Sequence, residues 1–216
     1  MFITFEGPEG SGKTTQMARL VEDLERAGYR TLATREPGGT PIGNQIRRVL
    51  FDLENKEMEP RTEILLFQAS RAQLVAQVIR PFLEQGGLVV CDRYADSTLA
   101  YQGYGHCTDL AQLRTIVGFA TGGLKPDLTL LLDVDPEVGL RRRRSQGDWN
   151  RLDDYELAFH RRVRQGYLRL AAEEPERWVS IAANAPEEEV QAEIRRVVYA
   201  KIKDSGLEPE SRSKGG

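Results

Sequence analysis

The sequence predicts an α/β protein in which one parallel sheet is covered by helices on both faces. Five short segments rich in Leu or β-branched residues are flanked by turn residues, as is typical of strands buried in a parallel sheet. Helical patterns lie between these segments, and strands that alternate with helices form a three-layer arrangement. The predicted strands are Phe2–Glu6, Arg30–Arg35, Leu88–Asp92, Leu128–Asp133 and Trp178–Ala182.

The helices are predicted from periodic apolar residues and from the residues that begin or end each pattern. In the first helix, apolar residues recur at three- and four-residue spacing from Met17 to Leu24, and Gly28 follows its end. Another helix begins at Pro41, and the longest is expected to kink or end near Pro81, because proline lacks the N–H that a helix needs. The predicted helices, besides the one that begins at Pro41, are Thr14–Ala27, Pro60–Gln85, Asp109–Gly122, Pro136–Ser145, Asp153–Glu174 and Pro186–Ile202.

Length and composition bound the domain organisation. The chain has 216 residues, of which 40% are hydrophobic and 29% charged, values that argue against disorder and against a coiled coil. At roughly 150 residues per domain this length suits a single domain with small insertions, which we place at residues 1–204. The segment 205–216 is rich in Gly, Ser, Pro and charge, so we expect it to be a disordered tail.

Charge and cysteine content exclude several classes of function. The 30 basic and 33 acidic residues give a net charge of −3, which creates no global field that would attract nucleic acid. Two cysteines and two histidines show no metal-ligand spacing, and a low cysteine count suits a reducing compartment. No apolar run approaches the roughly 20 residues that span a bilayer. We therefore expect a cytoplasmic protein with neither nucleic acid nor a membrane as a partner.

The most specific motif is a glycine-rich loop between the first predicted strand and the first predicted helix. Glycines let the backbone wrap closely around phosphate groups, to which the N–H groups of the loop and the helix N-terminus donate. The lysine of this pattern bridges phosphates, and the threonine that follows offers its hydroxyl to Mg²⁺. The loop is formed by Gly7, Pro8, Glu9, Gly10, Ser11, Gly12, Lys13 and Thr14.

Polar residues also follow the second and third predicted strands. Asp92-Arg93-Tyr94 closes the third strand, and Arg35-Glu36-Pro37-Gly38-Gly39 closes the second. In an open parallel sheet, ligands bind beyond the carboxyl ends of the strands, which is where these side chains emerge. An arginine there can clamp a phosphate, and Asp92 can orient Mg²⁺ or its waters. Taken alone, the Pro-Gly-Gly segment could equally be a simple turn, while the less favoured alternative for Asp92 is that it caps a turn and pairs with Arg93.

Taken together, the motifs resemble the thymidylate kinase family over roughly residues 2–200. Besides the loop, the family's order is matched by Arg35 to Thr40, by Phe67 with Arg71, by Asp92-Arg93-Tyr94 with the segment Ser97–Gly103, and by Asp133-Val134-Asp135-Pro136-Glu137. The resemblance implies a three-layer P-loop kinase fold with a five-stranded parallel sheet. It also implies a short arginine-rich LID at about residues 141–152, which closes over the nucleotide.

The implied reaction is transfer of the γ-phosphoryl group of ATP to dTMP, with Mg²⁺ as the metal cofactor. Phe67 would stack on the thymine ring, and Arg71, about one helical turn further on, would reach an exocyclic oxygen of the base. Without the resemblance, Phe67 reads more simply as a core residue. The other implied substrate contacts are the base edge for Ser97 and Thr98, the ribose 2′ position for Tyr101, the acceptor phosphate for Arg93 and the sugar 3′-hydroxyl for Glu9.

The LID departs from a common pattern among related kinases, in which two arginines stand four residues apart. The first position matches Arg142, which is expected to stack on adenine, but the second falls on Gln146. The phosphate loop itself carries no arginine, so we hypothesise that Arg144 or Arg151 supplies the catalytic charge beside Lys13 and Arg93. A second departure is Ile181-Ala182-Ala183 at the last strand, where many relatives carry an acidic residue.

Two other functions and one assembly question stay open at this point. A kinase for another nucleoside or nucleoside monophosphate would share the loop, the LID and Arg93, and a non-catalytic nucleotide-binding protein would share the loop alone. The resemblance implies a homodimer formed through helices that include the segments after Pro41 and Pro60. The apolar residues available there, which could equally belong to the core, are Val49, Leu50, Phe51, Leu65 and Leu66.

Overall fold

A computed structural model describes residues 1–145, 147 and 149–209. Its five strands form a single parallel sheet in the order β2-β3-β1-β4-β5. All five predicted strands are confirmed, with β2 beginning one residue later than predicted. The strands are β1 (Phe2–Glu6), β2 (Thr31–Arg35), β3 (Leu88–Asp92), β4 (Leu128–Asp133) and β5 (Trp178–Ala182).

Helices cover both faces of the sheet. Along β1, Ile3 and Phe5 face a core cluster that includes residues of α1 and α9, while Phe2 faces a second cluster formed with the segment around Leu74. This alternation is the two-residue period of a strand buried on both sides. The helices are α1 (Lys13–Arg26), α2 (Pro41–Phe51), α3 (Pro60–Leu74), α4 (Arg80–Glu84), α5 (Ala95–Thr98), α6 (Leu110–Thr121), α7 (Pro136–Ser145), α8 (Leu157–Glu173) and α9 (Glu187–Ser205).

The long helix predicted from Pro60 to Gln85 forms, but it is interrupted by a π-helical segment and not by a simple kink at Pro81. A π-helical segment, Val75–Ile79, joins α3 to α4 just before Pro81. The Arg80 N–H donates to the carbonyl of Val75, five residues back, as in a π-helix. Because Pro81 has no N–H to donate, the wider turn lies where the regular hydrogen-bond ladder is already interrupted.

Two segments differ from the prediction. The helix predicted from Asp153 to Glu174 is broken, because a 3₁₀ turn at Arg151–Asp154 is followed by an extended Tyr155 before α8 begins. The stretch after β3, which was given no helix, forms α5 and a second π-helical segment at Leu99–Gly105. Most of this π segment is buried against α8 and α6. Tertiary packing therefore outweighs the low helix propensity of its glycines.

The remaining expectations concern the ends and the apolar surface. Gly206 ends α9 in a left-handed conformation, and the predicted tail beyond residue 209 lies outside the described residues. Of the apolar residues considered for an interface, Leu50 is fully buried, whereas Val49 and Leu65 are exposed. No helix among the described residues has the length and apolar character needed to cross a membrane.

Candidate active site

A cavity of about 710 Å³ lies beyond the carboxyl ends of β1, β2 and β3. The strand register brings Arg35 and Phe5 level with Asp92, so the polar ends of three neighbouring strands meet at one edge. The lining continues onto α2, α3, the π segment after α5, and the LID. We refer to the end of the cavity at the glycine-rich loop as the phosphate end, and to the end at Phe67, Thr98 and Gln102 as the base end, after the ligand groups that the sequence predicts there.

The glycine-rich loop wraps around the N-terminus of α1, as the motif predicts. Lys13 begins this helix, and its Nζ donates to the carbonyls of Gly7 and Pro8 at 3.1 and 2.8 Å and to Ser11 Oγ at 3.1 Å. Burial and the neighbouring Arg93 lower the pKa of Lys13 to about 8. A bound phosphate would give this ammonium group charged partners in place of neutral carbonyls.

Thr14 and Asp92 stand side by side at the mouth of the loop. The Thr14 hydroxyl donates to Asp92 Oδ2 at 2.7 Å, across 78 residues of sequence. One hydroxyl and one carboxylate next to a triphosphate site form a donor set that fits Mg²⁺, which prefers oxygen ligands and keeps several waters. No group of three or more His, Cys, Asp or Glu side chains that could hold a metal by itself occurs in the described part of the chain.

Arg93 connects the phosphate loop with the base end of the cavity. Its Nη2 donates to Glu9 Oε1 at 2.8 Å and to the Tyr101 hydroxyl at 3.0 Å, and its Nη1 donates to the Gly7 carbonyl at 3.1 Å. Its φ of 67° lies in the left-handed region, which non-glycine residues adopt at a cost and which occurs often at functional sites. The fold therefore holds this guanidinium in a strained but well-connected position.

Glu9 is ionised at neutral pH. Burial alone would raise its pKa, but Arg93 and Lys13 outweigh burial, and together with the hydrogen bond from Tyr101 they lower the pKa to about 2. Tyr101 donates to Glu9 Oε1 at 2.7 Å. Glu9 and Tyr101 line the cavity beside Arg93, so these three predicted site residues lie together.

Two further arginines, to which the sequence motifs assign no role, reach the phosphate end. Arg35 ends β2 and Arg47 lies on α2, where its Nη1 donates to the carbonyl of Pro37 at 2.9 Å. Burial and the charges of Arg35, Arg93 and Arg143 lower the pKa of Arg47 to about 10, with Asp92 opposing them. These four arginines repel one another because they converge on one region, and such a concentration of positive charge suits the binding of several anionic phosphates.

At the base end, the half-buried ring of Phe67 lines the cavity opposite Thr98 and Gln102. Thr98 Oγ1 accepts hydrogen bonds from Gln68 Nε2 at 3.1 Å and from Arg71 Nη1 at 3.0 Å. Since both lone pairs of this hydroxyl are used, its proton is left to donate to a ligand. Ser97 also lines the cavity, and its hydroxyl donates to Glu6 Oε2 at 2.6 Å.

Arg71 lies behind the cavity lining instead of in it. Its guanidinium is fully buried and contacts Glu36 at 2.6 Å, Gln68 at 2.7 Å and the carbonyl of Tyr94 at 2.9 Å, besides Thr98. Its Nε, Nη1 and Nη2 groups thus all contact protein acceptors. In this arrangement, Arg71 would act on a bound base through Thr98.

The LID arginines point in different directions. Arg142 donates to the carbonyl of Ala183 at 3.0 Å, and the exposed Arg144 lies over the ring of Trp149. Arg151 is buried, where it pairs with Glu63 and donates to the carbonyl of Leu50 at 3.0 Å. Among the described LID arginines, it is Arg143 that lines the cavity. Gln146, the position of the second family arginine, lies outside the described residues.

The direction of Arg143 follows from close packing at Gly139. A Cβ on Gly139 would lie 2.1 Å from the carbonyl oxygen of Glu9, and a Cβ on Gly10 would lie 2.0 Å from the carbonyl oxygen of Gly139. Helix α7 thus contacts the phosphate loop backbone directly at Gly139. Arg143 is one turn further along the same face, and its Nε donates to Asp153 Oδ2 at 3.3 Å. In the sequence, the position of Arg143 four residues after Gly139 indicates that it faces the loop, which the run of arginines does not.

The cavity combines a phosphate-binding loop at the edge of a five-stranded parallel sheet with converging arginines and space for a second ligand at its other end. This combination defines the class of P-loop nucleotide kinases. A family model described as thymidylate kinase matches residues 5–194. On this evidence the chain belongs to the thymidylate kinase family, and it is an enzyme of the class that phosphorylates dTMP with ATP, in dTTP biosynthesis.

Individual relatives agree with this membership. The chain is 54% identical over 211 residues to the thymidylate kinase of Roseiflexus castenholzii, covering 92% of each chain. It is 56% identical over 194 residues to that of Deinococcus radiodurans, covering 90% of this chain and 94% of the relative. The crystal structure of thymidylate kinase from Ehrlichia chaffeensis is similar with a TM-score of 0.75 and 34% identity, covering 92% of this chain and 98% of that one.

Proposed function

We propose that the two ends of the cavity divide the reaction between ATP and dTMP. The triphosphate of ATP lies on the glycine-rich loop, and dTMP lies with its base at Phe67 and its phosphate toward Arg93, Arg35 and Arg47. A phosphate oxygen of dTMP forms a bond to the γ-phosphorus, and the bond from that phosphorus to the β,γ-bridging oxygen breaks. The products are ADP and dTDP.

Phosphoryl transfer depends on positioning and on stabilising charge at the transferred group. Lys13 holds the β- and γ-phosphates, while Arg93 holds the acceptor phosphate and, through Glu9 and Tyr101, is itself held in place. Thr14 and Asp92 would hold Mg²⁺, directly and through its waters. When bound, this ion supplies further neutralisation of phosphate charge.

The observation that carries the choice of base is the pair of polar groups at the base end. Thr98 has a hydroxyl proton left to donate, and Gln102 Nε2 donates to Glu63 Oε1 at 2.7 Å, which leaves the amide oxygen to accept. Thymine presents a carbonyl acceptor beside its N3–H donor, so the two patterns are complementary. Cytosine presents an amino donor and an N3 acceptor at the same positions, and both would be mismatched.

For the LID, the geometry favours Arg143 over the two arginines that the sequence suggested. Arg143 lines the cavity above the loop, whereas Arg144 is exposed and Arg151 is buried against Glu63. Arg142, proposed for the adenine contact, lies beside the end of β5 at Ala183. We assign the LID charge on the transferred phosphoryl group to Arg143.

We also propose that the protein works as a cytoplasmic homodimer. Large apolar side chains are exposed on α2, α3 and α6, and these helices pack side by side. The exposed fractions are 52% for Ile42, 45% for Val49, 59% for Leu65 and 89% for Phe119. A second copy of the chain would cover this face. Light scattering should report a dimer that Phe119→Asp converts to monomer, and a monomeric wild type would contradict the proposal.

The experiment that tests the function is an ADP-release assay with ATP and Mg²⁺ and with dTMP, dUMP, dCMP, dGMP or AMP as the acceptor. We expect strong turnover with dTMP, weaker turnover with dUMP and little with the others. Turnover only with another acceptor would keep the phosphate chemistry and reject the roles given to Phe67, Thr98 and Gln102. Folded protein that binds ATP and turns over none of them would be a non-catalytic binder.

A further inference from the structure

Behind the base end lies a buried carboxylate, Glu63 on α3, that contacts the cavity lining on one side and the end of the LID, with Tyr155 beyond it, on the other. Its Oε1 accepts from Gln102 Nε2 at 2.7 Å, and its Oε2 accepts from Arg151 Nη2 and lies 3.4 Å from the Tyr155 hydroxyl. The side chain is 1% exposed, so it cannot contact substrate itself. We propose that Glu63 is a positioning residue that fixes the amide of Gln102 and thereby sets which pyrimidine the site accepts.

The hydrogen-bonding character of a carboxylate fixes the orientation of the amide that faces it. An ionised carboxylate only accepts, so the amide of Gln102 must turn its NH₂ group toward Glu63. The amide oxygen of Gln102 is then the group offered to a base, and an acceptor there selects for an N3–H donor. Glu63 stays ionised because Arg151 and Gln102 donate to its two oxygens, and His106 Nε2 lies 3.5 Å from Oε1.

One oxygen of Glu63 pairs with Arg151 and the other orients Gln102. The positioning of Gln102 can therefore be tested separately from the ion pair. Arg151 is held on the Oε2 side and has anchors of its own, the carbonyl of Leu50 and the hydroxyl of Tyr155. Gln102 is held on the Oε1 side. Removing Arg151 therefore weakens the buried pair and leaves an acceptor facing Gln102.

Replacing Glu63 by glutamine reverses the polarity on the Gln102 side. The charged guanidinium of Arg151 takes the new carbonyl oxygen, which places the new NH₂ group opposite Gln102. The amide of Gln102 then has to turn and present its own NH₂ group to the base. An NH₂ group opposes the N3–H of thymine but matches the N3 acceptor of cytosine, so discrimination between the two bases falls.

The test compares Glu63→Gln with Arg151→Met by calorimetric titration with dTMP and with dCMP. Both variants lose part of the buried pair, and both are expected to unfold at lower temperature. In Glu63→Gln, the ratio of the Kd for dCMP to the Kd for dTMP should fall at least about tenfold, since a buried hydrogen-bond mismatch discriminates strongly. In Arg151→Met, the ratio should stay within about twofold of wild type, because the acceptor at position 63 is kept.

A Gln102→Leu background makes the test specific to the amide. If Glu63 acts through Gln102, adding Glu63→Gln to Gln102→Leu should leave the ratio of the two Kd values where Gln102→Leu put it. An unchanged ratio in Glu63→Gln, or an equal fall in Arg151→Met, would overturn the proposal. Where dCMP binds too weakly to measure, the two variants are compared by their loss of dTMP affinity. A larger loss in Glu63→Gln than in Arg151→Met supports the proposal, and equal losses overturn it.

The inference rests on the proposed binding of a pyrimidine at this end of the cavity, and one control keeps the two apart. Wild-type protein from the same preparation is assayed for ADP release with dTMP. If wild type neither binds nor phosphorylates dTMP, the proposed function fails. If wild type does both and the Kd ratio is insensitive to Glu63→Gln, the role of Glu63 fails alone.

Discussion

The phosphate end and the base end of the cavity hold their polar groups in different ways. At the phosphate end, Lys13 is held mainly by carbonyls and a hydroxyl of its own loop, within six residues along the chain. At the base end, partners come from distant segments: Glu36 and Arg71 are 35 residues apart, and Glu63 and Gln102 are 39 apart. Local sequence therefore positions the lysine of the loop, although Asp92 and Arg93 reach the same end from 78 and 84 residues away, whereas the contacts at the base end depend on the completed fold.

The difference also concerns what a ligand would replace. Phosphate oxygens can replace the carbonyls and the hydroxyl that Lys13 contacts, so its ammonium group can bind a phosphate at little structural cost. The contacts of Arg71 and Glu63 lie behind the lining, where they stay in place while a base binds. Substitutions at the phosphate end should therefore lower kcat, whereas substitutions behind the base end should change stability and the choice of base.

The largest effect is expected from Lys13→Met. Removing the cation that contacts the β- and γ-phosphates should lower kcat by about 10³-fold or more, since charge stabilisation dominates this chemistry. Stability should hold or rise slightly, because burial disfavours this charge in the folded protein. ADP release and thermal unfolding measure the two effects. Lys201→Met, far from the cavity on α9, is the matched control, and comparable losses in both variants would contradict the assignment.

The next effect separates the LID arginines. Arg143→Ala should lower kcat by about 10²-fold to 10³-fold, because it removes a cation above the transferred phosphoryl group. Arg144→Ala, in the next position of the same helix, should cost less than about tenfold, since its guanidinium lies on Trp149. The two variants are compared by ADP release at saturating ATP and dTMP. A larger loss in Arg144→Ala would return the role to the residue that the sequence suggested.

A third effect concerns stability at the base end. Arg71→Met leaves the buried carboxylate of Glu36 without its ion pair, and breaking a buried pair from one side costs about 3–5 kcal/mol. Arg26→Met breaks an exposed pair with Glu22 on α1 and should cost less than about 1 kcal/mol. Urea unfolding gives both values. Equal losses would mean that the network behind the base end does not stabilise the fold as its burial indicates.

The same contrast explains which parts of the molecule could be predicted from sequence. The five strands and the loop from Gly7 to Thr14 were predicted because buried strands and a glycine-rich turn are encoded locally. The helical segment from Ala95 to Gly105 was not, because its glycines and polar residues form a helix only when packed. A Cβ on Gly105 would lie 2.6 Å from the ring of Phe159, which shows how close that packing is.

Among site residues, the limit was the direction in which a side chain points. Arg71 was expected at the base, but its position behind Thr98 depends on Glu36 and Gln68, which no local pattern connects to it. Arg143 was passed over because four consecutive arginines look alike, while the residue that fixes their helix against the loop is Gly139. Gln102 lies in the segment Ser97–Gly103 that matches the family, but the motif gave it no role of its own. Glu63 left no local signal, since its significance lies in a contact with Gln102 across 39 residues.

The smallest expected effect is a change in acid stability that originates at Glu63. Burial alone would raise its pKa, but His106, Arg151 and Gln102 outweigh burial and lower it from 4.5 to about 2. A carboxyl whose pKa is lower in the folded state stabilises the protein above the unfolded pKa, and that stabilisation is lost as the pH falls from about 4.5 toward 2. At pH 3 the loss should be about 2 kcal/mol relative to pH 7.

The free energy of unfolding of Glu63→Gln should fall less between pH 7 and pH 3 than that of wild type, by about 2 kcal/mol. Parallel pH profiles for the two proteins would show that Glu63 titrates normally, and would weaken the case that it holds Gln102 as an ionised acceptor.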